Sequence, residues 1–296
     1  MAFIKRIFLF LLVNMLIMVS ISTVLTLLGV RPYLTAQGID YQSLLLFCLV
    51  WGFGGALISL GLSRVTAKWM MGVKVIDPVA ASPDERWLQA TVERLATQAN
   101  LPRTPEVGVY DSESPNAFAT GPTKASALVA VSTGLLRSMQ KQQLEGVLAH
   151  EVAHIANGDM VTMTLVQGVI NAFVMFFARI IAFAAGQLVD SEKRGLVQYV
   201  CVILFEVVFS LLGMMAVAAF SRYREYRADG GGADLVGRGK MIAALQALQR
   251  TVEVPESAPQ TIAAFQISAG RRSGLLALFS THPPLAERIR KLQQQA

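Results

Sequence analysis

The chain has 296 residues, and its composition is too apolar for a freely soluble protein. Hydrophobic residues make up 53% of it and charged residues only 16%, whereas soluble globular domains contain roughly 25% charged residues. The composition therefore excludes a disordered chain, a coiled coil and a freely soluble enzyme, and it favours a protein that is partly inserted in a membrane.

Four apolar stretches account for nearly all of the missing charge, and together they hold 97 residues. The other 199 residues contain 44 charged ones, about 22%, which is close to an ordinary soluble domain. A membrane-spanning helix needs about 20 apolar residues, and each stretch is that long. We therefore expect a multi-pass α-helical membrane protein that also has soluble parts. The stretches are 7–30 and 43–63 without charge, 160–186 with Arg179, and 196–220 with Glu206.

These stretches divide the chain into four parts. Residues 1–63 are predicted to form an N-terminal membrane hairpin, 64–159 a soluble part, 160–220 a second hydrophobic hairpin, and 221–296 a second soluble part. The first apolar stretch is longer than the core of a cleaved signal peptide, which has about 7–15 residues. We therefore expect a retained anchor.

Basic residues near the ends of the spans predict the orientation of the chain in the membrane. The net charge is +6, and most basic flanking residues lie on the side of the termini and of both soluble parts. Lys193 and Arg194, between the third and fourth stretches, run against this trend. The balance places both soluble parts in the cytoplasm. The two cysteines, Cys48 and Cys201, exclude a disulfide framework.

The pattern of apolar and turn residues in the soluble parts predicts an α+β fold with a small sheet. The second predicted helix ends at Asn157-Gly158, a common helix stop. The predicted helices are 83–98, 141–157, 239–251 and 283–295, and the predicted strands are 106–110, 116–120 and 127–131.

Two of the three histidines lie in the sequence His150-Glu-Val-Ala-His154, within the predicted helix 141–157. Residues i and i+4 lie on one helix face, one turn apart, so both imidazoles can reach one Zn²⁺. Glu151 follows the first histidine, where it can polarise a water and take its proton. The motif therefore predicts a catalytic zinc site, with His150 and His154 as ligands and Glu151 as the general base.

A catalytic zinc needs a third protein ligand, and Glu225 is the best candidate. Asp229 lies one helical turn further on, where it could orient a ligand histidine through its free N–H. The same residues also fit an ordinary charged flank of the fourth apolar stretch, and spacing alone leaves both interpretations open. The run Gly230–Gly232 predicts a relaxed backbone after this helix.

His282, in Thr281-His-Pro-Pro284, has two open interpretations. It could cap the terminal helix, or it could stabilise the oxyanion of a tetrahedral intermediate. Arg222 and Arg224 are similarly open, because they could contact substrate or be ordinary basic residues that flank a membrane span.

Four motifs in this order resemble the HtpX family of bacterial heat-shock proteases, which are membrane zinc endopeptidases related to the CAAX prenyl proteases. The resemblance covers almost the whole chain, including the two hydrophobic hairpins. The motifs are His150–Asp159, Pro115–Gly121, Ser221–Asp229 and Thr281–Pro284.

The resemblance implies a zincin-like protease domain that holds one Zn²⁺ per chain through His150, His154 and Glu225. It further implies that Glu151 is the general base and that His282 lies near the transition state. Asp229 is implied to contact a ligand residue without binding the metal itself. An edge strand made of Asn116, Ala117, Phe118 and Ala119 is implied to pair with the substrate backbone.

The implied activity is quality control and stress response at the cytoplasmic face of the bacterial inner membrane. The implied partners are misfolded or damaged membrane proteins, the lipid bilayer and other membrane quality-control proteases. We expect no nucleic-acid partner.

Two alternative functions remain open from the residues alone. An intramembrane metalloprotease would carry its zinc motif inside an apolar span, but the polar residues Lys141, Gln142, Gln143 and Glu145 precede the motif on its own helix. A transporter or scaffold would use Glu206 and Arg179 as an ion path, and it would require neither zinc nor Glu151.

Overall fold

The computed structural model describes residues 15, 18–30, 33–35, 38–252 and 274–294. The chain divides into two compact units. The first unit consists of Met1–Ser59 and Thr164–Ala216, and the second of Leu60–Met163 and Val217–Ala296.

Helices account for most of the described part of the first unit. Within the described residues, three helices are long and apolar enough to cross a membrane: α2 (Tyr41–Met70), α6 (Asp159–Gly186) and α7 (Ser191–Val236). Their most apolar windows have mean hydropathies of 2.1, 2.0 and 2.5. Part of the first predicted span, residues 7–14 and 16–17, lies outside the described residues. The remaining described elements are the short helix α1 (Met18–Leu27) and the paired strands β1 (Leu34–Thr35) and β2 (Gly38–Ile39).

Glu206 and Arg179 form an ion pair inside the first unit. The Arg179 Nη1 atom donates to Glu206 Oε1 at 2.8 Å and to the backbone oxygen of Met175 at 3.0 Å. The guanidinium also lies over the ring of Phe47, 5.4 Å from its centroid. Each charge is therefore compensated within the helices, as charges in apolar segments usually are.

The second unit is built on a four-stranded sheet with the order β3-β4-β6-β5. β4 and β6 are parallel, whereas the β3–β4 and β5–β6 pairs are antiparallel. β5 therefore lies at an edge of the sheet. The strands are β3 (Lys74–Val75), β4 (Glu106–Tyr110), β5 (Ala117–Thr123) and β6 (Ser126–Ser132).

Five further α-helices belong to the second unit. α3 shows why they form where they do: Ser82 and Glu85 make a capping box and Pro83 occupies the first turn. Its buried residues Leu88, Val92 and Leu95 are spaced as one helix face. The helices are α3 (Pro83–Gln98), α4 (Thr133–Ser138), α5 (Lys141–Asn157), α8 (Arg238–Val252) and α9 (Leu285–Gln294), with a 3₁₀ helix at Gly274–Phe279. Helices α3, α4 and α5 contact the sheet, α8 packs on α5, and α9 packs on α8.

Helix α5 occupies the centre of the second unit. All of its residues from Val147 to Ile155 are buried, and α8 approaches it so closely that a Cβ on Gly146 would lie 2.8 Å from the backbone oxygen of Lys240. It ends at the predicted place, because Gly158 adopts a left-handed conformation with φ of 69°.

The prediction of a relaxed backbone at Gly230–Gly232 is wrong, because α7 continues through it to Val236. Helix packing explains the difference at Gly232. A Cβ there would lie 3.2 Å from the backbone nitrogen of His150 and 3.0 Å from the Met241 sulfur. Glycine thus allows α7 to approach α5 closely, which brings the charged part of α7 beside the histidine motif.

Candidate metal centre

Helix α5 presents both histidines of the motif on one buried face. The Nε2 atoms of His150 and His154 lie 3.1 Å apart, and the two residues are 5% and 9% exposed. Glu151, between them, is 5% exposed. The i, i+4 spacing therefore brings the two rings together as predicted.

Helix α7 adds Glu225 to this pair. Its carboxylate oxygens lie 3.5 Å from His150 Nε2 and 3.3 Å from His154 Nε2. Ligand atoms about 2.0–2.1 Å from a tetrahedral zinc would be about 3.3 Å apart. Each histidine Nε2 atom thus lies 3.3–3.5 Å from one of the two Glu225 oxygens, and this spacing fits zinc.

The environment of Glu225 provides a second indication of a cation site. Glu225 is 1% exposed, and neither of its oxygens has an aligned hydrogen-bond donor within the described part of the chain. Buried carboxylate oxygens normally have such partners. A metal bound by His150, His154 and Glu225 would satisfy these oxygens.

Each histidine also has a carboxylate on the other side of its ring. His150 Nδ1 lies 3.0 Å from Asp229 Oδ1, as the spacing of Glu225 and Asp229 suggested. His154 Nδ1 lies 2.6 Å from Asp159 Oδ2. Both Nδ1 atoms therefore face carboxylates and both Nε2 atoms face Glu225, which is the arrangement that metal-binding histidines usually have.

Arg288 is a site residue that the sequence analysis missed. It is 2% exposed, and it donates to Asp229 through Nε at 2.8 Å and Nη2 at 2.6 Å. Its Nη1 atom lies 3.2 Å from Glu225 Oε2. Leu285 and Leu292 lie three residues before and four after it on α9, so a charge on the apolar stripe of a terminal helix was the available signal.

His282 lies at this cluster, since its Nδ1 atom is 2.9 Å from Glu225 Oε2. Its side chain is 19% exposed. The structure thus places the His282 ring beside the candidate ligand Glu225, a position that suits stabilisation of an oxyanion better than capping of the terminal helix.

Arg222 and Arg224 bind backbone oxygens around the site. Arg222 Nη1 donates to the oxygens of Leu278 and Ser280 at 3.2 and 2.8 Å. Arg224 Nη1 donates to the oxygen of Asp159 at 3.4 Å. Both arginines therefore hold the chain around the site. This role differs from the two considered from the sequence, which were contact with substrate and a basic flank of a membrane span.

The electrostatics of the second unit favour a cation at Glu225. Burial alone would raise the pKa of Glu225, but the positive charges of His282 and Arg288 and the close ring nitrogens of His150 and His154 hold it well below 4.5. Burial lowers the pKa of His150, yet the facing carboxylates of Asp229 and Glu225 outweigh burial and raise it to about 9. The carboxylate thus stays anionic, and positive charge is stabilised beside it.

The predicted edge strand lies at the sheet edge, although Asn116 itself precedes β5. Asn116 faces inward: its Nδ2 donates to Tyr110 Oη at 2.9 Å, and its backbone exchanges hydrogen bonds with Ser132. Because antiparallel pairs alternate, the backbone groups of Phe118 also point towards β6. Those of Ala117 and Ala119 then point away from β6; Ala117 is buried, whereas Ala119 is half-buried.

Comparison with known proteins identifies the class to which this fold and site belong. Residues 82–296 match Peptidase family M48. The chain therefore belongs to peptidase family M48, and it is a membrane zinc metalloprotease. The alternative of a non-enzymatic transporter or scaffold is accordingly set aside.

Curated relatives narrow the class further. The chain is 50% identical over 296 residues to the protease HtpX homologue of Bacillus licheniformis, covering 98% of this chain and 99% of the relative. It is 49% identical over 299 residues to protease HtpX of Cellvibrio japonicus, covering 98% and 99%. The resemblance to the HtpX family is thereby confirmed.

A solved structure shares the fold at low sequence identity. The crystal structure of Ste24p from S. mikatae has a TM-score of 0.60 and 18% identity, and the match covers 84% of this chain and 58% of that one. The confirmed architecture is mostly helical, with candidate membrane spans, a small sheet and a zincin-type domain.

Proposed function

We propose that this protein hydrolyses peptide bonds of misfolded or damaged membrane proteins at the cytoplasmic face of the bacterial inner membrane. The observation that carries the proposal is the cluster of two histidine Nε2 atoms and two Glu225 oxygens, whose contacts are 3.1–3.5 Å long, with Glu151 on the same helix as both histidines. His150, His154 and Glu225 would hold one zinc. When bound, zinc supplies a Lewis acid that polarises the substrate carbonyl and increases the acidity of a water.

Glu151 is the proposed general base. It lies one residue after His150 and three before His154, so its carboxylate is tied to the same turns of α5 as both rings. The carboxylate accepts a proton from the attacking water and later returns it to the leaving amine. Asp229, behind His150, keeps that ring in place during both transfers.

His282 is proposed to act near the transition state. Its imidazole reaches the site from the segment between the 3₁₀ helix and α9, and it remains partly exposed. It can therefore donate a hydrogen bond to the oxyanion that develops as water attacks the carbonyl.

The open edge of β5 is the proposed substrate-binding strand. An extended segment that pairs with the outward backbone groups of the half-buried Ala119 would be held mainly through its own backbone. Phe118 is buried and packs against Tyr110, with ring centroids 5.7 Å apart, so it supports the strand from behind. Backbone recognition permits broad sequence tolerance, which suits damaged substrates.

The membrane origin of the substrates is supported by distances along the chain. His154 is six residues before Met160, where one apolar segment starts, and Glu225 is five residues after Phe220, where another ends. The excess of flanking basic residues supports a cytoplasmic site. Roles in stress response and cooperation with other membrane quality-control proteases rest on the HtpX resemblance.

Cleavage outside the apolar core is favoured over intramembrane cleavage. The motif helix α5 begins with Lys141, Gln142 and Gln143, and it belongs to the second unit. It is not among the candidate spans of the described residues.

The test is cleavage of a membrane-protein substrate in proteoliposomes by the full chain and by Glu151→Gln. We expect Glu151→Gln to bind zinc normally but to lose cleavage. Wild type treated with chelator should lose cleavage as well, because it has lost its zinc. Glu145→Gln is the matched control, since it makes the same change on α5 and should stay active. Cleavage by Glu151→Gln at the wild-type rate would refute the assigned mechanism.

A further inference from the structure

A buried carboxylate lies behind the second candidate ligand histidine as well as behind the first. Asp159 is 1% exposed, and its Oδ2 atom lies 2.6 Å from His154 Nδ1. We propose that Asp159, held by Arg227, is a positioning residue that sets the tautomer and ring orientation of His154. The inference rests on the proposed zinc ligation by His154.

The end of α5 explains how Asp159 reaches His154. Gly158 has a φ of 69°, which reverses the chain directly after the helix. Asp159 then begins α6, and its side chain points back to the last turn of α5. Lys124 also binds this corner, because its Nζ atom donates to the backbone oxygen of Ala156 at 2.5 Å.

The other oxygen of Asp159 is held by α7. Arg227 Nη2 donates to Asp159 Oδ1 at 2.5 Å, and Arg224 donates to its backbone oxygen. The two carboxylate oxygens thus have different partners, so the carboxylate cannot rotate away from His154 without losing Arg227. Glu225 lies two residues before Arg227. One stretch of α7 therefore provides a candidate ligand and also holds the Asp159 carboxylate that contacts the other candidate ligand, His154.

This arrangement has a defined chemical consequence for His154. A neutral imidazole carries one N–H, and an acceptor at Nδ1 keeps the proton there. The lone pair of Nε2 is then left towards His150 and Glu225, where a metal ligand is needed. Asp229 and Arg288 form the equivalent pair behind His150.

The experiment measures zinc affinity of the full chain in detergent by competition with a chromophoric chelator. Asp159→Asn keeps the side-chain shape but offers only one oxygen for two donors, so we expect zinc affinity to fall about 10–100-fold. Glu145→Gln is the matched control, because it neutralises another cation-paired carboxylate and should leave the affinity unchanged. Wild-type affinity in a folded Asp159→Asn protein would overturn the inference.

A spectroscopic measurement separates positioning from general loss of structure. The chain has three histidines, so ¹⁵N-histidine labelling gives only three imidazoles to assign. In the zinc-loaded protein, we expect the Nδ1–H proton of His154 to move upfield in Asp159→Asn, while the signals of His150 keep their positions. An unchanged His154 signal would contradict the proposed role.

Two further variants keep the outcome decisive. If Asp159→Asn does not fold, Arg227→Gln retains the carboxylate, and the inference then requires a several-fold loss of zinc affinity in that variant. If His154→Ala binds zinc as wild type does, the proposed metal centre itself is wrong. If His154→Ala loses zinc but Asp159→Asn and Arg227→Gln do not, only the inference about Asp159 fails.

Discussion

Replacement of Arg288 by methionine tests whether the candidate site depends on a buried cation from α9. The guanidinium contacts both Asp229 oxygens at 2.6 and 2.8 Å and Glu225 at 3.2 Å, and it is 2% exposed. Arg288→Met would leave two buried carboxylates without this partner. Removing one partner of a buried ion pair costs about 3–5 kcal/mol.

This free-energy loss corresponds to a large change in thermal stability. For a folding unit of 150–250 residues, the size range of the second unit, 1 kcal/mol shifts the melting temperature by roughly 2–4 °C, so we expect a decrease of roughly 6–20 °C. The assay is thermal unfolding of the metal-free full chain in detergent, followed by tryptophan fluorescence or circular dichroism. Zinc should restore part of the lost stability, because it would compensate the charge of Glu225.

Arg290→Met is the matched control for Arg288→Met. Arg290 lies on the same helix two residues further on and is exposed, so its replacement should change stability by less than about 0.5 kcal/mol. Equal melting temperatures for the two variants would refute the conclusion that Arg288 compensates the buried carboxylates.

Three other variants test separate parts of the account. Gly232→Ala should weaken zinc binding, measured by chelator competition, because its Cβ would press on His150; Gly230→Ala meets no atom within 4 Å and should leave binding unchanged. Ala119→Pro should lower kcat/KM about 5–10-fold without changing zinc affinity, because it removes one outward N–H worth about 1 kcal/mol; unchanged kinetics would exclude backbone pairing at that residue. Burial raises the pKa of Glu145, but Lys240 and Arg94 outweigh burial and lower it below 4.5. A lowered folded-state pKa stabilises the protein above the unfolded value, so the stability advantage of wild type over Glu145→Gln should be constant near neutral pH and shrink as pH falls below about 4.5; an advantage that grows on acidification would contradict this sign.

Local sequence spacing was sufficient to predict the first half of the site. His150, Glu151 and His154 lie within one helix, so the 3.6-residue period alone brings the rings together. The stop at Gly158 was also readable from the sequence. That the reversal brings the Asp159 carboxylate back to His154 depends on the geometry of the turn, which the residue types alone do not specify.

Long-range packing determines the remainder of the site. Spacing alone did not decide whether Glu225 is a zinc ligand or an ordinary charged residue flanking a membrane span, because a Glu-x-x-x-Asp spacing is common on helices. Only the family resemblance favoured the ligand. Arg288 is 138 residues from His150, and tertiary packing of α9 beside α5 and α7 brings it to the site. The continuation of α7 through Gly230–Gly232 likewise reflects tertiary packing, which overrides the low helix propensity of glycine.

The zinc coordination of the full chain tests the central claim most directly. We expect X-ray absorption at the zinc edge to show one zinc per chain with two imidazole nitrogens and carboxylate oxygen at about 2.0–2.2 Å. Glu225→Gln should weaken zinc binding, and His154→Ala should remove one imidazole from the spectrum. A sulfur ligand at about 2.3 Å, or a spectrum that keeps both imidazoles in His154→Ala, would contradict the proposed centre.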